Sequence, residues 1–341
     1  MSSHSHYLHA AQRAWIKQLS RRWYWRLELP TWGLIAVIYG GWGCGTLFWH
    51  AIGPWLGTPL LLLLTCWYMS LQHELIHGHP TRHAGFNQLF GLAPLAVFYP
   101  YGLYRDSHIQ HHRNDHLTTP HEDPETYYFS PEQWQRYPRL LPLLARVRNT
   151  FSGRVLMGPW LDIALTLRSA VSALFAVNLR AIGMWLVHGI LLLVMFYWLR
   201  QQGISALWYV LTIALPALSL TKVRSFYEHR AEEAPETRSV INEAAWPWRL
   251  LFLNLNYHLV HHDLPGLPWY GLPQVYHAER QAYHKRSGGY VVQGYGVWLR
   301  QYAVKPIDVT VHPLSPAAPG TELQGAECRS PFPCTASIET P

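Results

Sequence analysis

Eight histidines fall in three five-residue windows: His73-Glu-Leu-Ile-His77, His108-Ile-Gln-His111-His112 and His258-Leu-Val-His261-His262. The whole chain has 341 residues and 21 histidines, so this clustering is far from a random scatter. On a helix, positions i, i+3 and i+4 lie on one face, so HxxxH offers two imidazoles side by side and each HxxHH offers three. Eight imidazoles are too many for one zinc ion, which takes four ligands. They suit two metal ions with open positions. Imidazole is a good ligand for iron, and a histidine-rich site with vacant positions suits oxygen activation.

Metal-bound histidines commonly donate their second N–H to a carboxylate or carbonyl. Candidate carboxylates stand beside the boxes: Glu74 inside the first, Asp106 before the second, Asp115 and Asp123 after it, and Asp263 after the third. Glu228 precedes His229, which follows the last apolar run and is expected as a ninth ligand. His79, His83, His116 and His121 flank boxes and are expected to hydrogen-bond or pack at the interface. His188 lies inside an apolar run and is expected to be packed. His4, His6 and His9 are expected to be disordered, and His277, His284 and His312 to lie on the surface. The first box also reads HExxH, the pattern of a zinc protease with a glutamate base. That reading leaves the other two boxes unexplained. A metal transporter would place its polar residues near mid-membrane, whereas these boxes lie outside the apolar runs.

The elements that must position the boxes are two apolar hairpins. The first runs from Trp32 to His50, turns at Gly53-Pro54 and continues to Leu71. The second runs from Ile182 to Leu199, turns at Arg200 to Gly203 and continues to Leu220. Each arm is near the ~20 residues of a bilayer crossing. Two hairpins give four spans with both termini on one side. Arg and Lys concentrate outside the hairpins, which the positive-inside rule places in the cytoplasm. All three boxes fall in those regions and can meet at one cytoplasmic face. Leu89–Tyr104 and Trp246–Leu255 are too short or interrupted to span and are expected at the interface.

Composition agrees with a membrane protein that has a large polar portion. Apolar residues make up 49%, with 17 Trp and 20 Tyr, yet mean hydropathy is only −0.04. Trp and Tyr favour the membrane–water interface. The net charge is +7; with no nucleic-acid-binding motif, it is assigned to anionic lipid headgroups. The four cysteines form no CxxC, so neither a disulfide framework nor a zinc ribbon is indicated. No cleavable signal peptide is expected. Residues 1–30 read as a basic cytoplasmic segment, and 306–341, rich in Pro, Ser, Thr, Gly and Ala, as a disordered tail.

The series HxxxH, HxxHH, HxxHH, with the surrounding HELIHGH, DSHIQHHRNDHLTTPHEDPE and NLNYHLVHHDLPGLPWYGLP, resembles the membrane fatty acid desaturase/hydroxylase superfamily. The resemblance covers about residues 30–290 and makes 31–305 a desaturase-like membrane domain. It implies an all-α fold, with four transmembrane helices and a cytoplasmic helical cap. It implies a di-iron site of two non-haem Fe ions held by His73, His77, His108, His111, His112, His258, His261 and His262, with His229 as the additional ligand. O2 is then the co-substrate, and two electrons come from a ferredoxin, rubredoxin or cytochrome b5 type donor and its reductase, as separate proteins. The expected reaction is desaturation of a lipid acyl chain at a bacterial inner membrane. The boxes leave carotenoid ketolation or lipid hydroxylation open, because the outcome depends on fine substrate placement.

Overall fold

The computed structural model describes residues 6–113, 116–308 and 311–314. Helices supply nearly all regular structure. In chain order they are α1 (Ala10–Ser20), α2 (Trp23–Arg26), α3 (Leu29–Leu47), α4 (Trp49–Ile76), α5 (Ala84–Gly91), α6 (Tyr101–His111), α7 (Pro131–Arg136), α8 (Leu140–Arg148), α9 (Phe151–Phe175), α10 (Leu179–Gln201), α11 (Ala206–Tyr209), α12 (Leu215–Arg224), α13 (Trp246–Leu251), α14 (His258–Asp263), α15 (Leu272–Ala278), α16 (Arg280–Arg286) and α17 (Tyr295–Tyr302). A single π-helical turn, Val210–Ala214, joins α11 to α12. The two strands, β1 (Ile241–Asn242) and β2 (Val291–Val292), are short and pair in parallel.

Among the described residues, three helical runs are long and apolar enough to cross a membrane: α4, α10 and the continuous stretch Ala206–Arg224. The remaining expected arm forms the 19-residue α3, which packs along α4. Its glycines explain its closeness to α4. A Cβ at Gly41 would stand 3.1 Å from Leu64, and one at Gly45 would stand 3.2 Å from Leu61. Such small-residue spacing lets helix backbones approach without large side chains between them. Gly53 breaks the run that becomes α4, with φ 69°, so the turn falls where Gly53-Pro54 predicts it.

The two hairpin turns sit side by side. Gly203 has φ +75°, and a Cβ there would lie 2.7 Å from the ring of His50. Trp198 Nε1 donates to Thr46 Oγ1 at 3.0 Å, tying α10 to α3 just below the turns. The opposite end of α4 carries the first histidine box. All three box helices, α4, α6 and α14, end at the boxes, so their C-terminal turns converge. The partial negative charge of a helix C-terminus favours a cation there.

The 25-residue α9 is an element the hairpin reading did not contain. Its sequence is interrupted by Arg154, Pro159, Asp162 and Arg168, which hide an apolar face exposed at Leu156, Leu165, Leu174 and Phe175. It begins where Phe151 packs on Phe226, 5.1 Å between ring centroids. It ends just before Arg180, which pairs with Asp106 on box helix α6 at 2.7 Å. Both ends of α9 therefore lie beside elements at the histidine end, and Asp162 ion-pairs with Lys222 in the last turn of α12.

Around the boxes, a second buried cluster joins Ile16, Leu19 and Trp25 to Leu259, Val260, Tyr276 and Tyr283. His6 and His9, expected to be disordered, dock here together with α1. His6 N–H donates to the Asp263 carbonyl at 2.8 Å, and His9 caps α1 and contacts Glu279 at 3.0 Å. The start of the segment expected as a tail is packed as well. Ile307 is buried and its N–H donates to the Asn149 carbonyl at 3.0 Å. His4 and residues beyond 314 lie outside the described residues.

Candidate metal centre

The structure gathers all eight box histidines and His229 into two adjacent groups. His73, His77, His108, His112 and His261 form the first; His111, His229, His258 and His262 form the second. Within each group, one ring nitrogen per residue lies within 4.8 Å of all the others. Each HxxHH box is split between the groups rather than presenting three rings to one point. The i and i+4 residues stay together, and the i+3 residue crosses over. Positions i+3 and i+4 differ by about 100° around a helix, enough to aim neighbouring rings at different centres. His111 thus leaves His108 and His112, and His261 leaves His258 and His262.

Spacings are tight and regular. His77, His108, His112 and His261 form a chain of Nε2···Nε2 contacts, each 3.1 Å. In the second group the contacts are His111–His229 at 3.1 Å, His229–His258 at 2.9 Å and His258–His262 at 3.1 Å. Nitrogens bound at right angles to one ion at ~2.1 Å stand ~3.0 Å apart, while a tetrahedral angle sets them ~3.4 Å apart. The spacing therefore fits an ion with more than four positions. The first group's five donors agree with that.

Hydrogen atoms alone cannot satisfy these contacts. His108 Nδ1 faces Glu125 Oε1 at 3.1 Å, and His111 Nδ1 faces Asp123 Oδ1 at 2.9 Å. A carboxylate in that place takes the Nδ1–H and leaves the Nε2 lone pair facing inward. His108 Nε2 then meets two other ring nitrogens, and one imidazole nitrogen cannot hydrogen-bond both. Both ring nitrogens of His73 are buried without a hydrogen-bond partner among the described residues. Converging lone pairs call for a cation, and a buried all-imidazole donor set suits iron.

The electrostatics favour neutral rings. Burial, and then neighbouring imidazoles, hold His112, His229, His258, His261 and His262 well below the usual histidine range. Metal ligation requires the neutral form. His111 differs: burial pulls it down, but Glu125 and Asp123 outweigh that and lift it to about 8. Glu125, half-buried, is held far below the ordinary carboxylate range by His111 and His108.

The expected carboxylates divide. Asp123 meets His111. Glu228 Oε1 lies 3.5 Å from His258 Nδ1 and accepts from Arg224 at 2.9 Å. Glu74 Oε1 lies 3.6 Å from His73 Nδ1, while its other oxygen accepts the Trp269 N–H at 2.9 Å. Asp106 is turned away to Arg105 and Arg180. Asp263 pairs with Arg286 at 2.6 Å and ties α14 to α16. An arginine within reach outcompetes an imidazole for each of these two. Asp115 lies outside the described residues.

Two contacts were not singled out from the sequence. Glu125 closes the DPE of the second-box neighbourhood, a visible but ambiguous signal. Ser239 Oγ faces His229 Nδ1 at 3.2 Å, and nothing in the sequence marks it. His79 is buried against Glu28 at 2.7 Å. His83, His116 and His121 are exposed and join neither group. His188 is a packed residue whose Nε2–H donates to the Val97 carbonyl at 2.7 Å. His277 is exposed and His284 half-buried. His312, expected on the surface, is buried at 5% exposure.

Comparison with known proteins adds two findings. The family described as Fatty acid desaturase matches residues 49–294, a stretch that contains all nine histidines. The chain is similar to the sn-1 oleoyl-lipid 12-desaturase of Picosynechococcus sp. (strain ATCC 27264 / PCC 7002 / PR-6), 27% identical over 270 residues, covering 70% of this chain and 73% of that protein.

Proposed function

The chain belongs to the fatty acid desaturase family, and on that premise we propose that it is a membrane-bound, di-iron acyl-lipid desaturase that introduces a C=C bond into a lipid acyl chain. The observation that carries this reading is the division of nine imidazoles into groups of five and four, in which successive ring nitrogens of eight histidines stand 2.9–3.1 Å apart. A protease zinc would need only part of the first group and would leave the second without a purpose. The similarity to a lipid-linked 12-desaturase favours an acyl chain carried on a membrane lipid.

When bound, two non-haem irons would supply O2 activation and hydrogen removal from an unactivated C–H bond. The chain's own groups prepare that chemistry. Asp123 and Glu125 fix the tautomers of His111 and His108 and aim their Nε2 atoms inward. Burial keeps water from most of the rings. His77 and His112 are the half-buried members, so substrate has its closest approach on their side. One O2, two electrons, two protons and two substrate hydrogens balance to two waters and one double bond. The electrons come from a separate ferredoxin, rubredoxin or cytochrome b5 type carrier.

The same reading sets the topology. α3 with α4, and α10 with the run Ala206–Arg224, form two membrane hairpins whose turns lie together on the far side. Both termini and the histidines face the cytoplasm of a bacterial inner membrane, and α9 lies along the interface with its exposed apolar face in lipid. The test of function is mass spectrometry of total lipids from a bacterial host expressing wild type or His111→Ala with a reductase. Acyl chains lighter by two hydrogen atoms, seen only with wild type, support the reading. Chains heavier by one oxygen would replace it with hydroxylation.

A further inference from the structure

Thr118 is a β-branched residue with φ 73°, a conformation such side chains rarely adopt. Residues held in this region are over-determined by their surroundings and cluster at functional sites. Thr118 is buried at 2% exposure, and all its polar groups are engaged. Its N–H donates to Asp123 Oδ2 at 2.8 Å, its carbonyl accepts from Thr126 Oγ1 at 2.6 Å, and its hydroxyl meets His312 Nε2 at 3.1 Å. The other oxygen of Asp123 faces His111. A path of three contacts therefore runs from His312, near the end of the described chain, to a member of the second histidine group.

A second path starts four residues earlier. Asp308 Oδ2 accepts from the hydroxyls of both Tyr128 and Tyr227. Tyr227 lies two residues before His229, and its carbonyl accepts from the Tyr290 hydroxyl. Tyr128 lies three residues after Glu125, and its oxygen accepts the Ala231 N–H at 3.0 Å, just past His229. The segment itself is anchored: His312 N–H donates to the Phe129 carbonyl at 3.0 Å, and Val311 bridges in parallel to Phe129.

We propose that Asp308 and His312 are positioning residues for the second histidine group, one holding the His229 turn through Tyr227 and Tyr128, the other holding His111 through Thr118 and Asp123. This rests on the reading of that group as a metal site. The two paths reach two of its four histidines. Toward the first group, the link is a single one, through the Glu125 N–H on Asp123 at 2.8 Å and then His108. Weakening the C-terminal contacts therefore loosens one metal more than the other.

The test measures iron per chain and the rate of iron loss to a chelator, in full-length protein held in lipid nanodiscs. Asp308→Ala and Thr118→Val remove the contacts; Tyr227→Phe removes only a hydroxyl and keeps the fold safe; Thr118→Ser restores the hydroxyl. Outer partners of metal ligands are worth about 10–100-fold in affinity. In the first three variants, one of two irons should leave about tenfold faster, the other at the wild-type rate, with an unchanged melting midpoint for the iron-free protein. Thr118→Ser should behave as wild type. Wild-type loss rates in every variant, or equal acceleration of both irons with a lowered iron-free midpoint, would overturn the proposal and leave the desaturase reading standing. A wild type that binds fewer than two irons would instead overturn the metal assignment of the second group, and this proposal with it.

Discussion

The imidazole of His112 stacks on that of His262, with ring centroids 4.3 Å apart and planes inclined by 17°. Among the described residues, this is the closest of several ring contacts between the two histidine groups. One residue belongs to each group, and one to each HxxHH box. Around it, His111 and His261 exchange places between the groups, so the two centres are knitted together by α6 and α14 and neither can assemble alone.

That exchange predicts reciprocal losses. His111→Ala removes a donor from the second group although its box serves the first; His261→Ala does the reverse. Each should lower desaturation by more than about 100-fold, beyond the loss expected for an outer partner, with membrane insertion intact. The check is lipid product per folded protein, and near-normal turnover in either variant would contradict the di-iron assignment.

Asp123→Asn and Glu125→Gln keep side-chain size but remove the charge that takes the Nδ1–H. Iron affinity should fall by about 10–100-fold in each, read by competition with a chelator. Asp106→Asn should change it little, because Asp106 serves arginines instead. Equal effects from all three would mean that the contacts to His111 and His108 are incidental.

Reporters fused at Arg22, Arg139 and Arg300 should all be cytoplasmic, and one inserted at Gln202 should lie across the membrane. A signal from the far side at Arg139 would separate the second box from the others and break the topology.

Gly203→Ala should destabilise the protein by about 1–3 kcal/mol through its positive φ, with a further contribution from the His50 ring that the new methyl group would meet. The thermal midpoint should drop while activity per folded molecule stays near wild type, since the turn lies at the end remote from the two histidine groups. An unchanged midpoint would show that the turn relaxes freely.

Much of the centre was legible in the sequence, because a helix converts spacing directly into geometry. The nine histidines and both hairpin turns are local patterns. The exchange of His111 and His261 was not legible, since it depends on how α6 and α14 face each other across 150 residues of chain. Ser239 reaches His229 through a turn with no motif. Asp106 and Asp263 carry the expected chemistry, but Arg180 and Arg286, distant in sequence, hold them elsewhere. α9 was hidden by charges that interrupt its apolar face. Residues 306–314 have a tail-like composition, yet Ile307, Asp308 and His312 find partners on the body of the fold.

Elemental analysis of purified wild-type protein tests the central claim most directly. The account predicts two iron atoms per chain, falling when either His111 or His261 is replaced. A single zinc per chain, retained in the His111→Ala protein, would contradict it.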